Sequence, residues 1–96
     1  MPGGEVRTVR VRIAGRVQGV GYRYWTEAVA GELGLSGWVR NRRDGTVEAV
    51  FSGAPDDVAQ MIERCREGPP AAQVTSVDVS EDTPEPSPGF EVLPTS

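Results

Sequence analysis

Apolar and polar residues alternate in the first part of the chain. Over residues 6–14, valine or isoleucine occupies positions 9, 11 and 13, and arginine occupies the two positions between them. A period of two predicts a strand with one buried and one exposed face. Further strands are predicted over residues 36–42, 46–51 and 74–80, with a short edge strand over residues 90–92.

Two other segments have the period of an α-helix. Between Tyr22 and Leu33, apolar residues recur at i, i+3, i+4 and i+8, which predicts a helix with one buried face. A second helix is predicted to begin near Pro55, where two aspartates suit the positive end of a helix dipole, and to end before Gly68. The predicted buried positions are Trp25, Ala28, Val29 and Leu33 in the first helix and Val58, Met61, Ile62 and Cys65 in the second.

The elements follow the order β-α-β-β-α-β, with the short strand added at the end. Two βαβ units with right-handed crossovers, joined by a hairpin, predict a ferredoxin-like α+β sandwich. We expect an antiparallel sheet of four to five strands with two helices on one face. The 96 residues suffice for a single domain, 1–96, in which we expect residues 1–5 to be flexible and residues 81–89 to form a Pro-rich connection.

The composition restricts the chemistry that the chain can perform. It contains no histidine and a single cysteine, Cys65, whose place in the helical pattern predicts a buried thiol rather than a nucleophile. Imidazole catalysis, an internal disulfide and the commonest zinc sites are therefore excluded. We expect neither a metal ion nor a cofactor.

The charges are unevenly distributed along the chain. Eight of the ten basic residues, all of them arginine, lie within residues 1–43, whereas eleven of the fourteen acidic residues follow. The net charge of −4 argues against general affinity for nucleic acid, so the basic half predicts a local pocket for a small anion. No apolar run approaches the ~20 residues that span a bilayer, and no signal-peptide pattern begins the chain, so we expect a cytoplasmic protein without a membrane partner.

The predicted topology brings two polar segments to one edge of the sheet. The first and second strands run parallel with the third between them, so their carboxyl ends lie about 9–10 Å apart. One end leads into a turn with three glycines and then to Arg23, and the other carries Arg40, Asn41 and Arg42. A gap of this width suits a phosphate group and one water molecule.

Each of these segments also has a simpler interpretation. Glycines at 19 and 21 allow backbone N–H groups to converge on an anion beside a helix N-terminus, but they also suit a tight connection. Asn41 precedes an Asp-Gly turn and could serve only the turn. The arginines at 10, 12, 42 and 43 are interpreted as solvated surface residues rather than ligands.

The same segments carry a resemblance to a known family. The segment GRVQGVGYR at residues 15–23 resembles the first signature of the acylphosphatases, and GWVRN at residues 37–41 resembles the second. The likeness continues through most of the chain, at Gly45, Val47, Gly53, Gly68, Pro69, Ala72, Val74 and Val77. The chain departs from the family pattern in two places. Tyr22 occupies a position that is more often Phe, and the chain does not end on the usual basic residue and aromatic.

The resemblance implies a specific reaction and specific roles. Acylphosphatases hydrolyse carboxyl-phosphate anhydrides to a carboxylate and inorganic phosphate, which also inhibits as a product. By the resemblance, Arg23 binds the phosphate of the substrate and Asn41 positions the attacking water. The backbone N–H groups implied to form the phosphate cradle belong to Gln18, Gly19, Val20, Gly21 and Tyr22. The resemblance also implies the ferredoxin-like fold and a monomer.

Two other functions remain open at this point. The chain could be an anion-binding regulatory module, or correspond to the acylphosphatase-like domains found within larger enzymes such as the hydrogenase maturation carbamoyltransferases. Sheets of this topology also bind RNA through stacking aromatics, but the central strands here have no exposed aromatic pair.

Overall fold

The computed structural model describes residues 5–83 and 88–96. Within this part, five strands form one sheet in the order β4-β1-β3-β2-β5, and two helices cover one face of it. The elements in chain order are β1 (Arg7–Arg16), α1 (Tyr22–Glu32), β2 (Ser36–Asn41), β3 (Val47–Gly53), α2 (Pro55–Glu67), β4 (Gln73–Glu81) and β5 (Phe90–Val92). The predicted ferredoxin-like class and the short fifth strand are confirmed.

The direction of the last strand differs from the prediction. Strand β3 pairs antiparallel with both β1 and β2, and β4 pairs antiparallel with β1. Strand β5, however, runs opposite to β4 and therefore in the same direction as β2, with which it pairs in parallel. The sheet is mixed at this one edge rather than antiparallel throughout.

The core lies between the sheet and the two helices, and the alternation in β1 builds one side of it. Val9, Val11 and Ile13 are fully buried, as their spacing predicts. The buried face of helix α1, in contrast, differs from the predicted apolar face, because Ala28 is exposed while Thr26 is buried. The hydroxyl of Thr26 donates to the carbonyl of Tyr22 at 2.8 Å, which allows a polar residue to face the core.

Strand β1 continues two residues beyond its predicted end at residue 14. A β-bulge interrupts its pairing with β4 between Ala14 and Gly15. A Cβ atom at Gly15 would lie 2.2 Å from the carbonyl oxygen of Gln73, so this glycine permits a close approach of strands rather than a turn. The connection from β1 to α1 is thus only residues 17–21, called the glycine loop below, and its start is fixed by the bulged strand.

Two expectations concern the parts of the chain that lie outside the described residues. Of the segment expected to be flexible, residues 1–4 are not described, and Glu5 is exposed. Of the Pro-rich connection, residues 84–87 are not described, and Glu81 belongs to β4.

Candidate active site

A cleft of about 160 Å³ lies at the edge of the sheet where β1 and β2 end. It brings together Arg23, from the first turn of α1, and Asn41, the last residue of β2. The other residues that line it are Val17, Gly19, Gly21, Tyr22 and Tyr24. Gln18 and Val20, which were also predicted to contribute backbone N–H groups, are not among the lining residues. A larger, open groove near the C-terminal end of α1 carries no basic residue in its lining, and therefore suits an anion poorly.

The glycine loop adopts a conformation that requires glycine at two positions. Gly19 and Gly21 have φ angles of 75° and 80°, in the left-handed region that L-residues other than glycine avoid. A Cβ atom at either position would meet no atom within 4 Å, so the requirement comes from the backbone and not from space. Gly21 is also the N-cap of α1, and the free N–H groups of the first helical turn begin there, beside the cleft.

The side chain of Gln18 holds this loop against the β2–β3 hairpin. Its amide nitrogen donates to the carbonyl oxygens of Arg42 at 2.7 Å and of Thr46 at 2.9 Å, one on each side of the turn. The glycine loop and the hairpin that carries Asn41 are therefore joined directly. No sequence pattern indicates this role, because both acceptors are backbone atoms more than twenty residues away.

Asn41 is held by its backbone and leaves its amide oxygen without a protein partner. Its main chain pairs with Val47, and the N–H of Ser96 donates to its carbonyl oxygen at 3.1 Å. The side-chain Oδ1 is buried, yet it accepts no hydrogen bond from any residue in the ranges 5–83 and 88–96. The acceptor capacity of this amide is therefore left for a group bound in the cleft.

The turn that follows Asn41 is organised by a different residue. Asp44 Oδ1 accepts hydrogen bonds from the backbone N–H of Thr46 at 3.0 Å and from its hydroxyl at 2.7 Å. These bonds and the Arg12 guanidinium nearby hold the pKa of the Asp44 carboxyl below its usual range. Turn formation thus does not account for Asn41, whose side chain lines the cleft instead.

The arginines of the described chain differ in whether they already form an ion pair with an acidic residue. Arg10, Arg40 and Arg42 all form ion pairs with Glu48, and Arg12 pairs with Asp44. No salt bridge to Arg23 is found in the described part of the chain, and Arg23 is the arginine that lines the cleft. Its guanidinium lies 5.9 Å from the centre of the Tyr24 ring. Arg23 therefore has its charge available to an anion.

Glu48 is a buried carboxylate on the face of the sheet opposite to the helices. Only 6% of its side chain is exposed, and its oxygens lie 2.6 Å from Arg10, 3.1 Å from Arg40 and 3.4 Å from Arg42. Arg10, Arg12 and Arg42, predicted to be solvated surface residues rather than ligands, keep 30–43% of their side chains exposed and in addition form ion pairs. Because side chains alternate along β2, Arg40 and Arg42 lie on the opposite face from Asn41 and do not enter the cleft.

We expect the ion pairs of Glu48 to make the free energy of unfolding depend on pH. Burial raises the pKa of Glu48, but hydrogen bonds from Arg10 and Arg40 outweigh it, so the pKa in the folded state is lowered. A lowered pKa stabilises the fold above the unfolded value, roughly pH 4, and this stabilisation is lost as the pH falls through the folded pKa. Glu48→Gln should therefore reduce the free energy of unfolding by about 2 kcal/mol at pH 7, and by less at pH 3.

Urea unfolding of both proteins from pH 7 to pH 3 measures this difference. Glu63→Gln is the matched control, since Glu63 forms an exposed pair with Arg66 and should change stability by less than about 0.5 kcal/mol. If the free energy of unfolding that Glu48→Gln loses relative to wild type stays constant with pH, the ionic role of the carboxylate is contradicted.

Tyr22 and Cys65 join the start of α1 to the end of α2. The hydroxyl of the buried Tyr22 donates to the carbonyl oxygen of Cys65 at 2.7 Å, which a Phe at this position could not do. Burial raises the pKa of the Cys65 thiol to about 12 and also raises that of the Tyr22 hydroxyl. Neither group ionises near neutral pH, and Cys65 is a core residue rather than a nucleophile.

Clusters of metal-ligating side chains and membrane-spanning helices are both absent from residues 5–83 and 88–96. No group of three or more His, Cys, Asp or Glu side chains there has the arrangement of a metal site. None of the helices there has the length and apolar character needed to cross a membrane.

The fold agrees with comparisons to known proteins. The sequence profile of the acylphosphatase family matches residues 9–92. An acylphosphatase from Bradyrhizobium diazoefficiens is 62% identical over 69 residues (72% of this chain and 70% of the relative), and one from Trichormus variabilis is 54% identical over 91 residues (95% and 90%). The solved structure of an acylphosphatase from Coxiella burnetii superposes with a TM-score of 0.89 at 38% identity, covering 92% of this chain and 93% of its own. The chain belongs to the acylphosphatase family.

Proposed function

We propose that the chain hydrolyses acyl phosphates to a carboxylate and inorganic phosphate by direct attack of water on phosphorus. Membership of the acylphosphatase family supports the reaction. The observation that carries the assignment of residues is that an arginine without an ion pair in the described chain and a buried, unpartnered amide oxygen line one cleft. Arg23 binds the phosphate in this proposal, and Asn41 positions the water.

The phosphate is bound by charge and by backbone donors. A guanidinium offers two parallel N–H bonds to phosphate oxygens, and Arg23 supplies this group. The predicted cradle comprises the backbone N–H groups of residues 18–22, of which Gly19, Gly21 and Tyr22 line the cleft. With the N-terminus of α1 they add neutral donors and a partial positive charge. Such donors stabilise the equatorial oxygens of the transition state, where the charge of the transferred group is spread.

The water is oriented rather than deprotonated by the protein. Oδ1 of Asn41 accepts a hydrogen bond from the water and holds it in line with the bond that breaks. A neutral amide does not remove a proton, so the proton passes to solvent or to the phosphate of the substrate. The leaving carboxylate has a conjugate acid with a pKa of roughly 4, so its departure requires no general acid.

We also propose the conditions under which the enzyme acts. Because Arg23 and the backbone donors neutralise the phosphate and the leaving group is already activated, the reaction needs no metal ion or cofactor. The enzyme is a cytoplasmic monomer, its substrate is a small acyl phosphate, and neither nucleic acid nor a membrane takes part.

Hydrolysis of benzoyl phosphate in the presence of EDTA tests the proposed reaction. We expect rapid release of inorganic phosphate by the wild-type protein, and competitive inhibition by added phosphate. The contrary outcome is a wild-type protein that is well folded by circular dichroism yet releases no phosphate, with or without EDTA. That result would contradict the proposed hydrolysis and make the cleft an anion-binding site. Activity that EDTA removes would contradict metal independence alone.

A further inference from the structure

An aromatic ring stands exposed at the rim of the cleft. Tyr24 follows Arg23 on α1 and lines the same cleft, yet 65% of its surface is exposed. The other exposed large hydrophobic residues of the described chain, Val6 and Val79, do not line it. A single exposed apolar residue is ordinary on a protein surface, so it is the position of Tyr24, beside the arginine of the cleft, that is informative.

The two sides of the cleft indicate how a substrate would lie in it. Oδ1 of Asn41 is buried and belongs to the inner wall, whereas the ring of Tyr24 is exposed and belongs to the mouth. In-line displacement puts the leaving group on the far side of phosphorus from the attacking water. With the water at Asn41, the acyl group therefore extends toward the mouth, where Tyr24 offers the exposed aromatic surface.

We propose that Tyr24 determines specificity, its ring packing against the acyl group of the substrate so that acyl phosphates with an aromatic group are preferred. The inference rests on the proposed hydrolysis and names the substrate class of that same site. Ring-to-ring contacts beyond simple area burial change affinity by about 3- to 10-fold. A small acyl group, such as acetyl, lacks the surface to make this contact.

Tyr24 could instead act only through its neighbour. Its ring lies 5.9 Å from the guanidinium of Arg23, within the range of a cation–π contact that would orient the arginine. In that case every acyl phosphate would be affected alike, and so would binding of inorganic phosphate. The two roles therefore differ in the ratio of activities toward two substrates.

The experiment compares kcat and KM for benzoyl phosphate and acetyl phosphate in wild type, Tyr24→Ala and Tyr24→Phe. We expect Tyr24→Ala to lower kcat/KM for benzoyl phosphate about 5-fold, mainly through KM, and that for acetyl phosphate less than 2-fold. Tyr24→Phe keeps the ring and should retain the wild-type ratio. Val79→Ala, which removes an exposed apolar side chain from β4, is the matched control and should change kcat/KM for neither substrate.

Three results would overturn the inference. An equal loss for both substrates, together with weaker inhibition by inorganic phosphate, would assign Tyr24 to the orientation of Arg23. Unchanged kinetics for both substrates in Tyr24→Ala would remove the ring from substrate binding while leaving the proposed hydrolysis intact. A wild-type protein that hydrolyses neither substrate would overturn the proposed function itself.

Discussion

Arg23→Ala is expected to lose both phosphate binding and turnover, with kcat/KM for benzoyl phosphate falling on the order of 10³-fold. The arginine supplies the one full positive charge assigned to the transferred phosphate, and its two parallel donors act in the ground state and in the transition state. Inhibition by inorganic phosphate should weaken together with activity. Steady-state kinetics with phosphate as a competitive inhibitor measures both effects.

Two further variants make the Arg23 result specific. Arg43 is exposed and does not line the cleft, so Arg43→Ala removes one positive charge near the site and should change kcat/KM less than about 2-fold. Arg23→Lys keeps the charge without the paired donors and should recover only part of the activity. The free energy of unfolding of Arg23→Ala should stay close to that of wild type, since Arg23 forms no ion pair with any residue in the ranges 5–83 and 88–96. Normal kinetics in Arg23→Ala would exclude Arg23 from the mechanism.

Asn41→Ala is expected to separate binding from catalysis. The amide is assigned to the water and not to the phosphate, so inhibition by inorganic phosphate should remain near the wild-type level. Turnover should fall by about 10²- to 10³-fold, as when a single positioned hydrogen-bonding group is removed from an active site. Single-turnover measurements with benzoyl phosphate, combined with phosphate inhibition, distinguish the two steps.

The same substitution is expected to leave stability close to that of wild type. The side-chain Oδ1 of Asn41 makes no hydrogen bond within the described chain, so Asn41→Ala breaks none there. Urea unfolding should therefore show a change of less than about 1 kcal/mol in the free energy of unfolding. Retained turnover, or a large loss of stability, would contradict the role of Asn41 as a residue that acts in catalysis rather than in folding.

Much of the fold could be predicted because it depends on local periodicity. Val9, Val11 and Ile13 alternate with arginines and face the core, and the β-α-β-β-α-β order permits few topologies. The buried face of α1 could not be predicted from apolar spacing, because the hydroxyl of Thr26 forms its hydrogen bond within the helix and Thr26 takes a core position. The parallel pairing of β5 depends on which sheet edge the chain reaches, which no local pattern encodes.

The candidate site divides in the same way. Arg23 and Asn41 could be predicted to lie close together because β1, which leads toward the helix of Arg23, and β2, which ends at Asn41, run parallel with only β3 between them. Their functional roles stay predictions. Gln18 acts through backbone acceptors in the β2–β3 turn, and Glu48 acts through arginines of the neighbouring strands, at positions that only the pairing register defines. Their contributions could not be inferred before the strands were aligned.

The position of β1 in the sheet also has a consequence for the way the chain folds. This strand leads directly into the glycine loop, but its two neighbours in the sheet, β3 and β4, lie far along the chain, at residues 47–53 and 73–81. Arg23 and Asn41 reach their places only after β3 has inserted between β1 and β2, and pairings between such distant segments form slowly compared with those of helical bundles. No early, partly folded chain therefore contains the cleft, and the return of enzymatic activity during refolding should follow the formation of the whole sheet.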